Sequence, residues 1–367
     1  MNNVKNRKIY LNYAGLGTLE KSDYLTLRKF LDEYFSVGPP EVIEKYREYI
    51  NKLRKEISLL LNCTEKEIIY TKNTTEGVII ASEALPLVRG DEVLLLENEY
   101  AANKVPWLKK KKDGLEIKVV NNTNTKEAFN TLLKQISPKT KTIAISSVQY
   151  YDGYQCDLKL LSDICRTKGI FLVVDGIQEV GTRVIDLQKT PIDILLCGGH
   201  KHLNSIVGVG FMYISKEIMH RLKDTKVGIR SVKAMNNDGY ILKDDAGRFE
   251  DGTPNLFGIL SLYLSVKRIN EIGIVKIEKR NLLLLLNLKT QLRHNHIPFI
   301  NYQTQGNLIA LKISNPSGLY QFLRSNSIYV KRIKDIVRVS ISHRSSIKDF
   351  EYFIKKTREW LNQATPS

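Results

Sequence analysis

Ile192-Asp193-Ile194-Leu195-Leu196-Cys197-Gly198-Gly199-His200-Lys201-His202-Leu203 decides how this chain is read. An apolar run of buried-strand type ends in two glycines, a histidine and a lysine. Open α/β sheets hold their ligands at the carboxyl ends of the strands, so Lys201 stands where such proteins do chemistry. Its amine becomes a nucleophile toward an aldehyde once partial burial or a neighbouring cation lowers its pKa. Alone, Lys201 reads as a solvated surface lysine in a basic chain. Asp175, Gln178 and the pair Thr74-Thr75, all upstream, change that weighing.

The 367 residues are 43% hydrophobic and 26% charged, which is globular composition with ample core material for two or three domains. Met1-Asn2-Asn3-Val4-Lys5 has no apolar signal-peptide core, and the longest aliphatic run, Leu282–Leu286, falls far short of the roughly 20 residues of a membrane span. Cys63, Cys156, Cys165 and Cys197 are scattered without ligand spacing. They read as reduced thiols of a cytoplasmic protein with no metal site. The net charge of +17 raises the question of nucleic acid. The excess is spread along the chain, however, and its one dense run, Lys109–Lys112, precedes a turn at Asp113-Gly114. A solvated face is the preferred reading, with neither nucleic acid nor membrane as partner.

Outward from residue 200 the pattern is an alternation. Ile9–Leu11 is extended, and residues 21 to 61 read as helical with an interruption at Gly38-Pro39-Pro40. Strands are expected at 67–70, 92–96, 116–120, 140–146, 170–174, 192–197 and 209–214. Helices are expected at 74–84, 101–110, 125–135 and 158–166. Such alternation argues for helical crossovers and a mostly parallel sheet, and Phe171-Leu172-Val173-Val174 is continuously apolar, as for a strand covered on both faces. Beyond Pro254 come two long helices (256–272 and 275–293), short strands at 308–313, 328–330 and 337–341, and an amphipathic helix at 348–361. This tail reads as a smaller α+β domain.

Four local features carry chemistry. Thr71-Lys72-Asn73-Thr74-Thr75-Glu76-Gly77 lies where a strand yields to a helix; hydroxyls and free N–H groups there make an anion site or, more plainly, an N-cap. Asp175 ends a buried strand, where an unpaired carboxylate is costly unless a ligand cation faces it; a capping role for the following segment is the bland alternative. Lys201 with His200 is the third. Phe249-Glu250-Asp251-Gly252-Thr253-Pro254-Asn255 is the fourth, by itself a domain junction.

In this order and spacing, together with Asp175-Gly176-Ile177-Gln178 and Arg338-Val339-Ser340, these motifs resemble the class V aminotransferases and cysteine desulfurase-like enzymes of fold type I, over most of the chain from Tyr10 to about Phe353. The resemblance implies pyridoxal 5′-phosphate and an α/β fold with a seven-stranded, mostly parallel sheet. It implies an N-terminal segment 1–20, a large cofactor domain 21–258 and a small α+β domain 259–367. By it, Lys201 would carry the cofactor and shuttle the Cα proton, and Asp175 would pair with the pyridine nitrogen. Gln178 would bond the ring hydroxyl, near Tyr150. Thr74, Thr75 and His200 would hold the phosphate, with Thr253 reaching the phosphate of a neighbouring subunit in a homodimer. Tyr100 would stack on the ring. Arg338 would grip the substrate α-carboxylate and Asn12 would line the substrate side.

The family's sulfur-relaying members carry a nucleophilic Cys on a loop shortly before the Arg-x-Ser strand; here that region is Lys331-Arg332-Ile333-Lys334-Asp335-Ile336. Tyr100 stands where they have histidine, Gly198 where many have Ser, and Tyr150 where many have Asn. The expected activity is therefore Cα deprotonation of a free α-amino acid joined to the cofactor as an external aldimine, followed by β-elimination: a C–S lyase without persulfide relay. An aminotransferase or amino-acid epimerase is the alternative within the family, and a cofactor-binding regulatory protein the alternative outside catalysis.

Overall fold

The computed structural model describes residues 8–364; the Met1–Lys5 start lies outside them. The strand β1 (Ile9–Tyr10) leads to helices α1 (Lys21–Ser36), α2 (Pro39–Arg47) and α3 (Tyr49–Leu61). Gly38 turns the chain at φ +114°, and Pro39 and Pro40 occupy the first turn of α2, where a missing N–H costs nothing. A second break, at Glu48, was not expected: no Gly or Pro marks it, and its αR backbone keeps the local pattern helical.

The alternation follows: β2 (Ile68–Thr71), α4 (Thr74–Ala84), β3 (Glu92–Leu96), α5 (Ala101–Lys109), β4 (Glu116–Val120), α6 (Thr125–Lys134), β5 (Thr140–Ser146), α7 (Leu158–Lys168), β6 (Phe171–Asp175), β7 (Ile194–Gly198) and β8 (Gly210–Ile214). The seven strands form one sheet in the order β2-β8-β7-β6-β5-β3-β4. β8 runs antiparallel to β7 and β2, and the pairs among β7, β6, β5, β3 and β4 are parallel. Side chains alternate across a strand. Leu172 and Val174 therefore join a core with Leu53 and Ile57 of α3 and Leu161 of α7, whereas Phe171 and Val173 join Val78 and Ala81 of α4 and Trp107 of α5. Helices cover both faces, which is why β6 is apolar up to Asp175 at its carboxyl end.

The chain continues through α8 (Lys216–Met219), the hairpin β9 (Val232–Asn236) and β10 (Gly239–Leu242), α9 (Leu256–Ile272), α10 (Ile274–His294), β11 (Leu308–Lys312), α11 (Pro316–Ser325), β12 (Ile328–Tyr329), β13 (Lys331–Ile333), β14 (Ile336–Ser340) and α12 (Ile347–Ala364). Ile259, Leu262 and Val266 of α9 pack in the core of the large sheet, while Leu284, Leu285 and Leu288 of α10 pack in a separate core with β11, β14 and α12. The chain turns at Gly273 (φ +89°) and crosses between the two cores along α10, whose Ile277 still packs in the first and whose Leu284 packs in the second. Ile9 and Leu11 belong to the second core, because β1 pairs in parallel with β12 and Ser340 N–H donates to Leu11 O at 2.8 Å.

Several elements escaped the sequence reading, among them α11 and the β9–β10 hairpin. Pro316-Ser317-Gly318 looks like a breaker, yet Asn315 caps α11 by accepting from Gly318 N–H and Pro316 sits in its first turn. Residues 232–242 bury almost nothing, so β9 and β10 show no inward face to read.

Candidate active site

The carboxyl ends of β5 and β6 and the loop after β7 open on a cavity of about 490 Å³. Lys201 reaches it because the loop after β7 folds back on itself. Gly199 N–H donates to Val209 O at 2.9 Å, Ser205 N–H to Gly199 O at 3.0 Å and Asn204 N–H to Lys201 O at 2.9 Å. The N-terminal segment clasps this loop from outside: Gly17 N–H donates to His200 O at 2.7 Å, and a Cβ on Gly17 would stand 2.1 Å from Lys201 O. Only glycine passes there.

Three of the charged groups that line the cavity, Lys201, Asp175 and Arg338, lie deep in it, and among the described residues none of the three makes a salt bridge. Burial lowers the Lys201 ammonium to about 8, with the Arg338 charge adding to the effect and Asp175 opposing it. Burial pushes the Asp175 carboxyl up to about 6, against Lys201 and the Ile177 N–H that donates to Oδ1 at 3.0 Å. Burial also lowers Arg338, to about 10. Its guanidinium donates to Tyr150 O at 2.7 Å and leaves Nε without a partner. An unpaired buried cation of this kind is a ready clamp for a carboxylate.

The N-terminus of α4 forms another wall. Asn73, not a threonine, is its cap, accepting from Glu76 N–H at 3.0 Å. Thr74 and Thr75 thus occupy the first turn, where N–H groups lack intrahelical acceptors. Thr74 Oγ1 is buried without a partner, and Thr75 and His200 line the same cavity. Burial and the Lys201 charge hold His200 below its ordinary pKa. Tyr100 caps α5 at the rim, with its ring centroid 5.7 Å from Lys201 Nζ and edge-to-face on Tyr150. The site offers orphan donors for a phosphate, an unpaired carboxylate for a protonated ring nitrogen and a buried amine for an aldehyde. That donor set fits pyridoxal phosphate.

Gln178 is fixed before any ligand arrives. Its Nε2 donates to Ala14 O at 3.1 Å and its Oε1 accepts from His202 Nε2 at 3.2 Å. Burial lowers His202 to about 3, so it stays neutral. Glu99 does the same for the end of β5, accepting from Ser146 N–H, Ser146 Oγ, Gln149 Nε2 and Asn103 Nδ2. Sequence reading passed over both residues, although each adjoins a residue it did select, Lys201 and Tyr100.

Two expected site residues stand apart. Asn12 does not line the cavity: its side chain folds beneath Gly15, its Oδ1 is buried without a partner, and Ala14 and Gly15 supply the N-terminal wall instead. Thr253 lines a different cavity of about 290 Å³, with Lys226 and Glu76. The segment Lys331–Ile336 is no extended loop but the β13–β14 hairpin, turning tightly at Lys334 (φ +46°), and Lys331, Arg332 and Ile333 line the main cavity. Tyr151 Oη donates to Asp335 Oδ1 at 2.6 Å and ties the turn down. Among the described residues no helix is long and apolar enough to cross a membrane.

The sequence model described as aminotransferase class-V matches residues 26–347. The uncharacterized protein C11D3.10 of Schizosaccharomyces pombe is 27% identical over 97% of this chain and 84% of its own length. A probable cysteine desulfurase of Mycoplasma genitalium is 29% identical over 96% of this chain and 92% of its own. Among solved structures, a complex of the cystine C–S lyase C-DES with its reaction product, cysteine persulfide, superposes with a TM-score of 0.88 at 20% identity, covering 96% of this chain and 98% of that one. At that identity the likeness speaks for the fold.

Proposed function

This chain belongs to the class V aminotransferase family and is a pyridoxal-phosphate-dependent enzyme, and we propose that it is a C–S lyase that eliminates the β-substituent of a free α-amino acid without relaying persulfide. The observation that carries this reading is the β13–β14 hairpin. A relay needs an accessible thiolate on a segment that reaches the cavity and then leaves it. The hairpin has no cysteine, and no cysteine lines the cavity. Burial pushes Cys63 and Cys165 up to about 12 and Cys156 and Cys197 well above the ordinary thiol range.

When bound, the cofactor supplies an electron sink for charge left at the substrate Cα. Lys201 would hold its aldehyde carbon and Asp175 its ring nitrogen. The first turn of α4 and His200 would hold its phosphate, and Gln178, steadied by His202, would face its ring hydroxyl beside Tyr150. The Tyr100 ring would cover its face. Arg338 would orient the substrate by its α-carboxylate, bringing the Cα–H within reach of Lys201 Nζ. An amine held near pKa 8 takes that proton and returns it at neutral pH.

Thr253 and Lys201 line different cavities, so in this reading Thr253 serves a second subunit's phosphate in a homodimer. The same reading divides the chain into a large and a small domain, expected at 21–258 and 259–367, with α9 going to the large one because its Ile259, Leu262 and Val266 pack in that core. The test is incubation of the reconstituted enzyme with cysteine, cystine and cysteine S-conjugates. Pyruvate release with no persulfide on the protein by mass spectrometry is expected. Conversion of the cofactor to its amine form by one amino donor, without pyruvate, would instead mark an aminotransferase.

A further inference from the structure

In the antiparallel pair β13–β14, Lys331 lies directly opposite Arg338. Residues directly opposite one another project from the same face, with Cβ atoms about 4.5–5.5 Å apart, and like charges in that relation repel. Both side chains line the main cavity, Arg338 at 4% exposure and Lys331 exposed at the rim. Among the described residues Lys331 has no carboxylate partner. Its neighbour Arg332 also lines the cavity but spends a guanidinium N–H on Ser317 Oγ at 3.2 Å. The one carboxylate in the lining, Asp175, is buried on another wall. A single α-carboxylate satisfies Arg338 and leaves the second cation of the strand pair uncompensated.

We infer that the substrate carries a second anionic group at the end of its side chain, and that Lys331 selects for it. This rests on the assignment of Arg338 to the α-carboxylate. Arg338 is deep and Lys331 shallow, so the substrate lies with its α-carboxylate inward and its side chain directed toward the rim. An S-conjugate of cysteine ending in a carboxylate or sulfonate fits that polarity. The tight turn at Lys334-Asp335 holds Lys331 in register, so the selection is built into the strand pairing.

Calorimetric titration of the cofactor-loaded enzyme with succinate, glutarate and adipate, each beside its monoamide, reads this preference without turnover. At least one dicarboxylate is expected to bind ten-fold or more tightly than its monoamide. The difference should vanish in Lys331→Gln, persist in Lys331→Arg and reverse in Lys331→Glu. Equal affinities in the native enzyme, or a preference that survives in Lys331→Gln, would overturn the inference. A protein that shows the preference yet eliminates nothing from any S-conjugate would refute the lyase reading and leave this one standing.

Discussion

Replacing Asp175 with Asn should make the cofactor-free protein more stable and the cofactor-loaded protein less well served. Burial raises the Asp175 carboxyl from its usual 3.8 to about 6. Each tenfold change in proton affinity corresponds to about 1.4 kcal/mol, so the native fold bears about 3 kcal/mol for holding this charge when no cation faces it. Asn keeps an oxygen for the Ile177 N–H and removes the charge. The attraction of Lys201 is already contained in that net shift, while a buried amide still costs something to desolvate, which offsets part of the gain. The net expectation at pH 7.5 is a stabilisation of about 1–3 kcal/mol, or several degrees in Tm. The folded state binds the proton more tightly than the unfolded state, so native stability falls as pH rises from about 4 to about 6 and is flat with respect to this group above that. The advantage of Asp175→Asn should open over that window and be absent at pH 4. Adding pyridoxal phosphate should invert the ranking, because only the carboxylate pairs with a protonated ring nitrogen. Differential scanning fluorimetry of both proteins, with and without cofactor from pH 4 to 8, measures all of this. A cofactor-free variant that melts at or below the native protein at pH 7.5, or a difference independent of pH, would refute the reasoning.

Arg338→Lys keeps a cation but loses the fork and the bond to Tyr150 O; steady-state kinetics should show KM raised about 10–100-fold, the worth of one or two charge-assisted hydrogen bonds. Thr74→Val removes a buried hydroxyl that has no partner within the protein, so the cofactor-free melting temperature should hold or rise while cofactor affinity, by absorbance titration, falls about tenfold. Gly17→Ala drives a Cβ into Lys201 O; a backbone clash of that kind destabilises by about 1–3 kcal/mol and should leave the purified protein short of cofactor by its visible absorbance.

Much of the large domain could be read because its signals are local. The helix at 74–84 and the strands at 92–96, 116–120 and 140–146 have the expected limits, since the switch between strand-type and helix-type patterning at each crossover marks them. The cavity gathered Lys201, Asp175, Gln178, Thr74, Thr75, His200, Tyr100, Tyr150 and Arg338 from six segments, which spacing alone could not reveal and family resemblance could. Asn12 shows the limit of that route. It stands beside Ala14 and Gly15, which do line the cavity, but a turn (Gly15 N–H to Asn12 O, 2.9 Å) directs its side chain under the chain instead. His202 and Glu99 were missed because they act on Gln178 and Ser146 through long-range hydrogen bonds, and nothing nearby in sequence announces them.

The clasp formed by residues 9–17 has a bearing on how the molecule is made. These residues pair with 328–329, bond to Ser340 and brace the loop that carries Lys201. The segment at 9–17 must therefore wait for residues 328–340, made long after it, before the pocket can close. A nascent chain stalled short of residue 340 has all seven strands of its large sheet and an unfinished site. Capture of the vitamin-derived group is thereby postponed until residues 328–340 have been made and have folded back.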